Sequence, residues 1–143
     1  MEHIKKEMEE LSKKIIPILV DFDGTVVRHD YPNIGKENEH AVEVLKKWTS
    51  EYNVGIILHT MRDGELLKAA ADWFAEKGVP LYGIGRNPTQ DNWTKSLKAY
   101  GLFCIDDINV GCPLIYEKGQ RPRVDWLRVN EIVEPILIAI NKK

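Results

Sequence analysis

Three short apolar runs constrain this chain more than any other feature. "ILV" at 18–20, "VGIIL" at 54–58 and "LFCI" at 102–105 show no alternation of apolar and polar residues. A strand with one wet face alternates with period two, whereas a strand buried on both faces is apolar throughout, as in a parallel sheet. Amphipathic segments follow the first two runs. Ala41, Val44, Leu45 and Trp48 recur at helical spacing, and "ELLKAAADWFAEKG" reads as a helix with Gly78 just past its end. Strands alternating with helices imply right-handed βαβ units. The expected fold class is α/β: a single doubly wound, Rossmann-like domain, its mainly parallel central sheet flanked by helices, with no large cap.

The rest of the chain fills in that plan. "MEHIKKEMEELSKKI" sets Ile4, Met8, Leu11 and Ile15 on one stripe of a charged helix, which either covers the domain or mediates self-association. "RHDYPNIGKENE" is a polar loop, "PLYGIG" a short strand, "WTKSLKAY" a short helix and "PLIY" a further strand. "VDWLRVNEIVEPILIAI" closes the chain as a helix, bent or interrupted at Pro135. With 143 residues and no internal repeat or linker, one domain is expected. Residues 1–15 form its N-terminal helix, 16–116 its core, and 117–143 a C-terminal loop and helix.

Composition excludes several classes. The net charge of −2 leaves no overall footprint for nucleic acid, and Arg121, Arg123 and Arg128 read as solvated surface. Two cysteines, Cys104 and Cys112, in apolar settings are too few for a disulfide framework and lack zinc-ligand spacing. They read as buried thiols in a reducing compartment. With no secretory or membrane-spanning run, a cytoplasmic protein with no membrane partner is expected.

The buried strands end in polar groups. Asp21 and Asp23 follow "ILV", Thr60 follows "GIILH", and Asp106 and Asp107 follow "LFCI". In open α/β sheets, ligands bind outside the carboxyl ends of the strands. Several carboxylates gathered there repel: two unit charges about 4 Å apart cost roughly 4 kcal/mol at an effective dielectric near 20. A hard divalent cation resolves the conflict, and a small set of oxygen ligands suits Mg²⁺. Taken singly, Asp23-Gly24 is a common turn, Thr60 a helix cap and the Asp106-Asp107 pair a solvated turn. Occurring together and in order, they describe a phosphate site with a metal.

"ILVDFDGTVV" resembles the first motif, hhhDxDGT, of the haloacid dehalogenase-like (HAD) phosphatases. "IILHT" resembles the second motif, and a lysine upstream of "LFCIDD" resembles the third and fourth. "DYPNIG", "HTMRDGELLKAAADWFAEKG" and "IDDINVGCP" are similar to a small capless group of that superfamily. The resemblance implies a Mg²⁺-dependent phosphatase in which Asp21 is the nucleophile and Asp23 the general acid and base. It implies phosphate contacts from Thr60 and a lysine, and metal ligation by Asp21, the Asp23 backbone carbonyl and Asp106, with Asp107 as an alternative. Lys98 is the preferred lysine, and Lys95, three residues before it, stays open. Arg62 and His29 are further candidates for substrate contact.

The segment from Val26 to Ala41 is too short for a helical cap, which implies an open site. A small phosphorylated metabolite, a nucleotide or a macromolecular phosphate all fit, as does closure by homo-oligomerisation. Two other readings remain: a receiver-like phosphoacceptor domain, although the acids come in the opposite order there, and a catalytically silent binding protein on the same scaffold.

Overall fold

The computed structural model describes residues 2–4 and 15–142. The amphipathic segment expected over residues 1–15 falls almost entirely outside them. The chain forms β1 (Ile16–Val20), α1 (Ala41–Glu51), β2 (Val54–Leu58), α2 (Gly64–Glu76), β3 (Gly83–Ile84), a 3₁₀ turn (Pro88–Asn92), β4 (Phe103–Ile105), β5 (Leu114–Ile115), β6 (Arg123–Val124) and α3 (Trp126–Asn141). Four strands make a parallel sheet in the order β3-β2-β1-β4, and β5 and β6 pair antiparallel beside it.

That order explains which element covers which face. From β1 to β2 to β3 the chain moves one way across the sheet, and right-handed crossovers place α1 and α2 on the same side. Side chains alternate along β1, so Ile16, Ile18 and Val20 share a face. They join one core cluster with Ile56, Leu58, Trp48, Phe74 and Trp126 from the three helices and β2. The return from β3 to β4 must then cross the opposite face. There Leu19 and Ile57 pack on Ala99, with Tyr82 and Cys104 against them.

The crossing segment is not the helix expected over "WTKSLKAY"; residues 94–100 are irregular. Side chains capture the backbone groups that a helix would have paired. Gln90, only 1% exposed, donates from Nε2 to the Ser96 and Lys98 carbonyls and accepts from the Tyr100 N–H. Thr94 Oγ1 and Ser96 Oγ accept from the N–H groups two residues on. At the other end of the chain, α3 runs through Pro135 without interruption. "RPRV" reads as a loop, yet Arg123–Val124 forms β6. Arg123 is buried between Glu39 and Glu117 instead of solvated. Cys104 and Cys112 are free, half-buried thiols. No described helix is long and apolar enough to cross a membrane.

The loop after β1 is gripped from several distant points of the chain. Asn38, fully buried, donates from Nδ2 to the carbonyls of Thr25 and Val124, both at 2.8 Å. Trp126 Nε1 donates to the same Thr25 carbonyl at 2.7 Å. Replacing Asn38 with alanine removes the Asn38 donor from the Val124 carbonyl and leaves the Thr25 carbonyl to Trp126 alone, and we expect a loss of about 1–2 kcal/mol in urea unfolding with an unchanged m-value. A loss within about 0.5 kcal/mol, the range of ordinary surface substitutions, contradicts this anchoring role.

Candidate active site at the strand tips

Register brings the polar residues together. Val20 lies beside Leu58 on one flank and Ile105 on the other, so β1, β2 and β4 end level. Ladder bonds continue one residue further, from Asp21 N–H to the Ile105 carbonyl and from His59 N–H to the Val20 carbonyl. Asp21, Thr60 and Asp106 therefore emerge side by side. The chain reverses its direction across the sheet between β1 and β4, and Asp21 and Asp106 stand at that switch point.

Asp21, Asp106 and Asp107 each offer a carboxylate oxygen, and these oxygens lie within 4.8 Å of one another. The electrostatic strain is visible in their protonation. Burial pushes the Asp21 carboxyl up to about 8, and the Asp106 charge adds to the effect. The Thr25 hydroxyl, donating to Asp21 at 2.9 Å, opposes the shift. Asp106 is also raised, first by burial and then by Asp107, against the stabilising N–H of Ile108. An all-oxygen set with suppressed ionisation fits a hard divalent cation, which would replace the protons. These three carboxylates are the residues that could hold one.

The turn after β1 builds the rest. Gly24 has φ +83°, and a Cβ there would collide with the His29 ring and the Asp107 carboxylate. His29 Nε2 lies 2.9 Å from Asp107 Oδ2. Thr25 is fully buried, and its hydroxyl also accepts from the Asp107 N–H at 3.2 Å, tying the β1 and β4 tips together. Nothing in "DFDGT" marks Thr25 for this bridge, because its partner Asp107 lies 82 residues away.

Asp23 points to a different partner. Arg62 donates to both of its carboxylate oxygens, from Nε and Nη2, each at 2.8 Å. The remaining guanidinium donors bond the Pro32 and Asn33 carbonyls, and the group lies over the Phe22 and Tyr31 rings. Arg62 is thus inside the site, but its fork faces Asp23. Thr60 is not a helix cap, because α2 starts at Gly64 behind Asp63; its hydroxyl accepts from the Arg62 N–H.

A cleft of about 320 Å³ collects Asp21, Asp23, His29, Thr60, Arg62, Asp106 and Asp107. Lys98 and Lys95 are exposed and lie outside its lining, on the irregular segment where a helix was expected. Among the described residues, the cation that does line it without a fixed carboxylate partner is Arg121, from the β5–β6 connection. Nothing in "GQRPR" signals that placement, because it depends on a hairpin of two-residue strands.

A solved structure of a conserved protein from Bacteroides thetaiotaomicron is similar to this chain, with 36% sequence identity and a TM-score of 0.70, covering 85% of this chain and 91% of that one. This chain belongs to the same family as that protein. No family model and no curated protein matches it. The TM-score shows that the two proteins share the small Rossmann-like fold described above.

Below the ordinary value of 3.8, Asp21 is protonated in both the folded and the unfolded chain. Between 3.8 and about 8 only the folded chain keeps the proton, so stability falls as pH rises through that window. We expect the melting temperature of chelator-treated protein to fall between about pH 5 and pH 8, and Mg²⁺ to raise it most at the upper end. Asp21→Asn should flatten the slope. A flat or rising profile in the wild type contradicts this assignment.

Proposed function

We propose that this protein is a HAD-like phosphatase that hydrolyses a phosphate monoester through an aspartyl-phosphate on Asp21. The observation that carries the reading is the convergence of Asp21, Asp106 and Asp107 oxygens within 4.8 Å, in a cleft that also holds Asp23 and Thr60. The order of these residues along the chain supports it, through the resemblance of "DFDGT", "IILHT" and "LFCIDD" to that superfamily.

In the first step, a carboxylate oxygen of Asp21 attacks phosphorus. The bond to the leaving alkoxide breaks, and Asp23 gives the alkoxide its proton. In the second step, Asp23 takes a proton from water, the water oxygen attacks phosphorus, and Asp21 is released with inorganic phosphate. Thr60 offers its hydroxyl to a phosphoryl oxygen. Asp21, Asp106 and Asp107 would hold Mg²⁺, which when bound supplies positive charge against the carboxylates and the phosphoryl oxygens. Arg62 is a positioning residue: it fixes Asp23, and one arm of its fork must open before Asp23 can carry a proton. The Pro32 and Asn33 carbonyls, which hold the other donors of Arg62, govern that opening.

A second reading, binding of phosphate esters without turnover, draws on the closed Arg62–Asp23 fork and on the exclusion of both lysines from the cleft lining. One assay separates the two. We expect Mg²⁺-dependent release of phosphate from an aryl phosphate, abolished in Asp21→Asn and slowed about 10²- to 10⁴-fold in Asp23→Asn. Equal rates for wild type and Asp21→Asn across a broad phosphate-ester panel would falsify the phosphatase reading.

A further inference from the structure

A second cleft, of about 470 Å³, opens beside the aspartates and shares His29 and Arg121 with their lining. Its other side chains are mostly basic or polar: Arg28, Lys36 and Gln120, with Asp30 as the one acid. The neighbouring acids are already committed. Glu39 and Glu117 sit against Arg28 and Arg123, two anions against two cations. Among the described residues, neither Lys36 nor Arg121 has an ion-pair or hydrogen-bond partner for its side chain. The Nε of Arg28 is buried and lacks a partner as well.

Two uncommitted cations and an orphaned guanidinium N–H converge on a polar concavity next to a cluster of carboxylates. Among the described residues, the fold gives Lys36 and Arg121 no fixed anionic partner, although Asp30 lines the same cleft. An anion bound in this cleft would give Lys36 and Arg121 a partner through charge-assisted hydrogen bonds. We propose that the cleft is a second anion subsite, and that the ligand is a small molecule carrying two phosphate groups. One group lies in the aspartate cleft and the other contacts Arg121 and Lys36. This assignment rests on the phosphatase reading for the first group only. A compact metabolite fits better than a nucleic-acid end, since the basic residues stay within one cleft and Arg123 and Arg128 are already paired with Glu39 and Glu131.

The test is calorimetric titration of Asp21→Asn protein with Mg²⁺ present. The probes are fructose 1,6-bisphosphate and 2,3-bisphosphoglycerate, each against its monophosphate, fructose 6-phosphate and 3-phosphoglycerate. At least one bisphosphate should bind about 10-fold or more tightly than its partner, the scale of one charge-assisted contact. That preference should disappear in Lys36→Ala combined with Arg121→Ala, and return when Lys36→Arg and Arg121→Lys keep the charges. Equal affinities within both pairs, or a preference that survives the double alanine variant, overturns the proposal. So does tighter binding of a 5′-phosphorylated oligonucleotide than of either bisphosphate. Bisphosphate preference in a protein whose wild type hydrolyses nothing supports the subsite and removes the phosphatase reading. Hydrolysis without any bisphosphate preference removes the subsite alone.

Discussion

Three carboxylates held within 4.8 Å at the end of a buried sheet are the constraint around which this structure is arranged. Bringing ionised acids together out of water is costly, and the raised protonation of Asp21 and Asp106 is the direct expression of that cost. The fold imposes the encounter. With β1 central and its neighbours ending level with it, the residues after Val20, Leu58 and Ile105 have only one place to go. The surrounding architecture then works to keep them there. Thr25 bridges Asp21 and Asp107, while Asn38 and Trp126 hold the Thr25 carbonyl from distant parts of the chain. The longest-range of these hydrogen bonds, from Trp126 to the Thr25 carbonyl, spans 101 residues of sequence.

The two aspartates of "DFDGT" occupy different electrostatic worlds, although one residue separates them. Asp21 faces other acids and its proton is retained, whereas Asp23 faces a bidentate arginine. Strict alternation would send residues 21 and 23 to the same side; the turn after Phe22, whose carbonyl accepts from the N–H groups of Thr25, Val26 and Val27, breaks that alternation and gives each carboxylate its own partner. The proposed division between an attacking and a proton-carrying carboxylate runs opposite to this asymmetry, so it requires a cation to displace the Asp21 proton and Arg62 to release Asp23.

Much of this was legible in the sequence, for a physical reason. Uninterrupted apolar runs fix a parallel sheet, and a parallel sheet places all its strand tips on one edge, so Asp21, Thr60 and Asp106 could be grouped without coordinates. Helices marked by Trp48, Trp73 and Phe74 were readable from spacing alone. The failures arose where side chains override local preference. "WTKSLKAY" has helical spacing, but Gln90 and the hydroxyls of Thr94 and Ser96 take over its backbone, and the lysines it was to present face away from the cleft lining. The pairing of Arg62 with Asp23 is invisible in the sequence, because the two residues lie 39 positions apart. Arg121 carried no signal, since its place depends on a hairpin whose strands are two residues long.

The central claim is that the carboxylate cluster is a metal-assisted phosphoryl-transfer site with Asp21 as the group that becomes phosphorylated. The most direct measurement is a crystal structure of the protein grown with Mg²⁺ and beryllium fluoride, which mimics an acyl phosphate on a carboxylate. The account predicts a fluoroberyllate on Asp21, with a cation bound by Asp21 and Asp106. An adduct on Asp106 in place of Asp21, or a cation bound away from all three carboxylates, would contradict it.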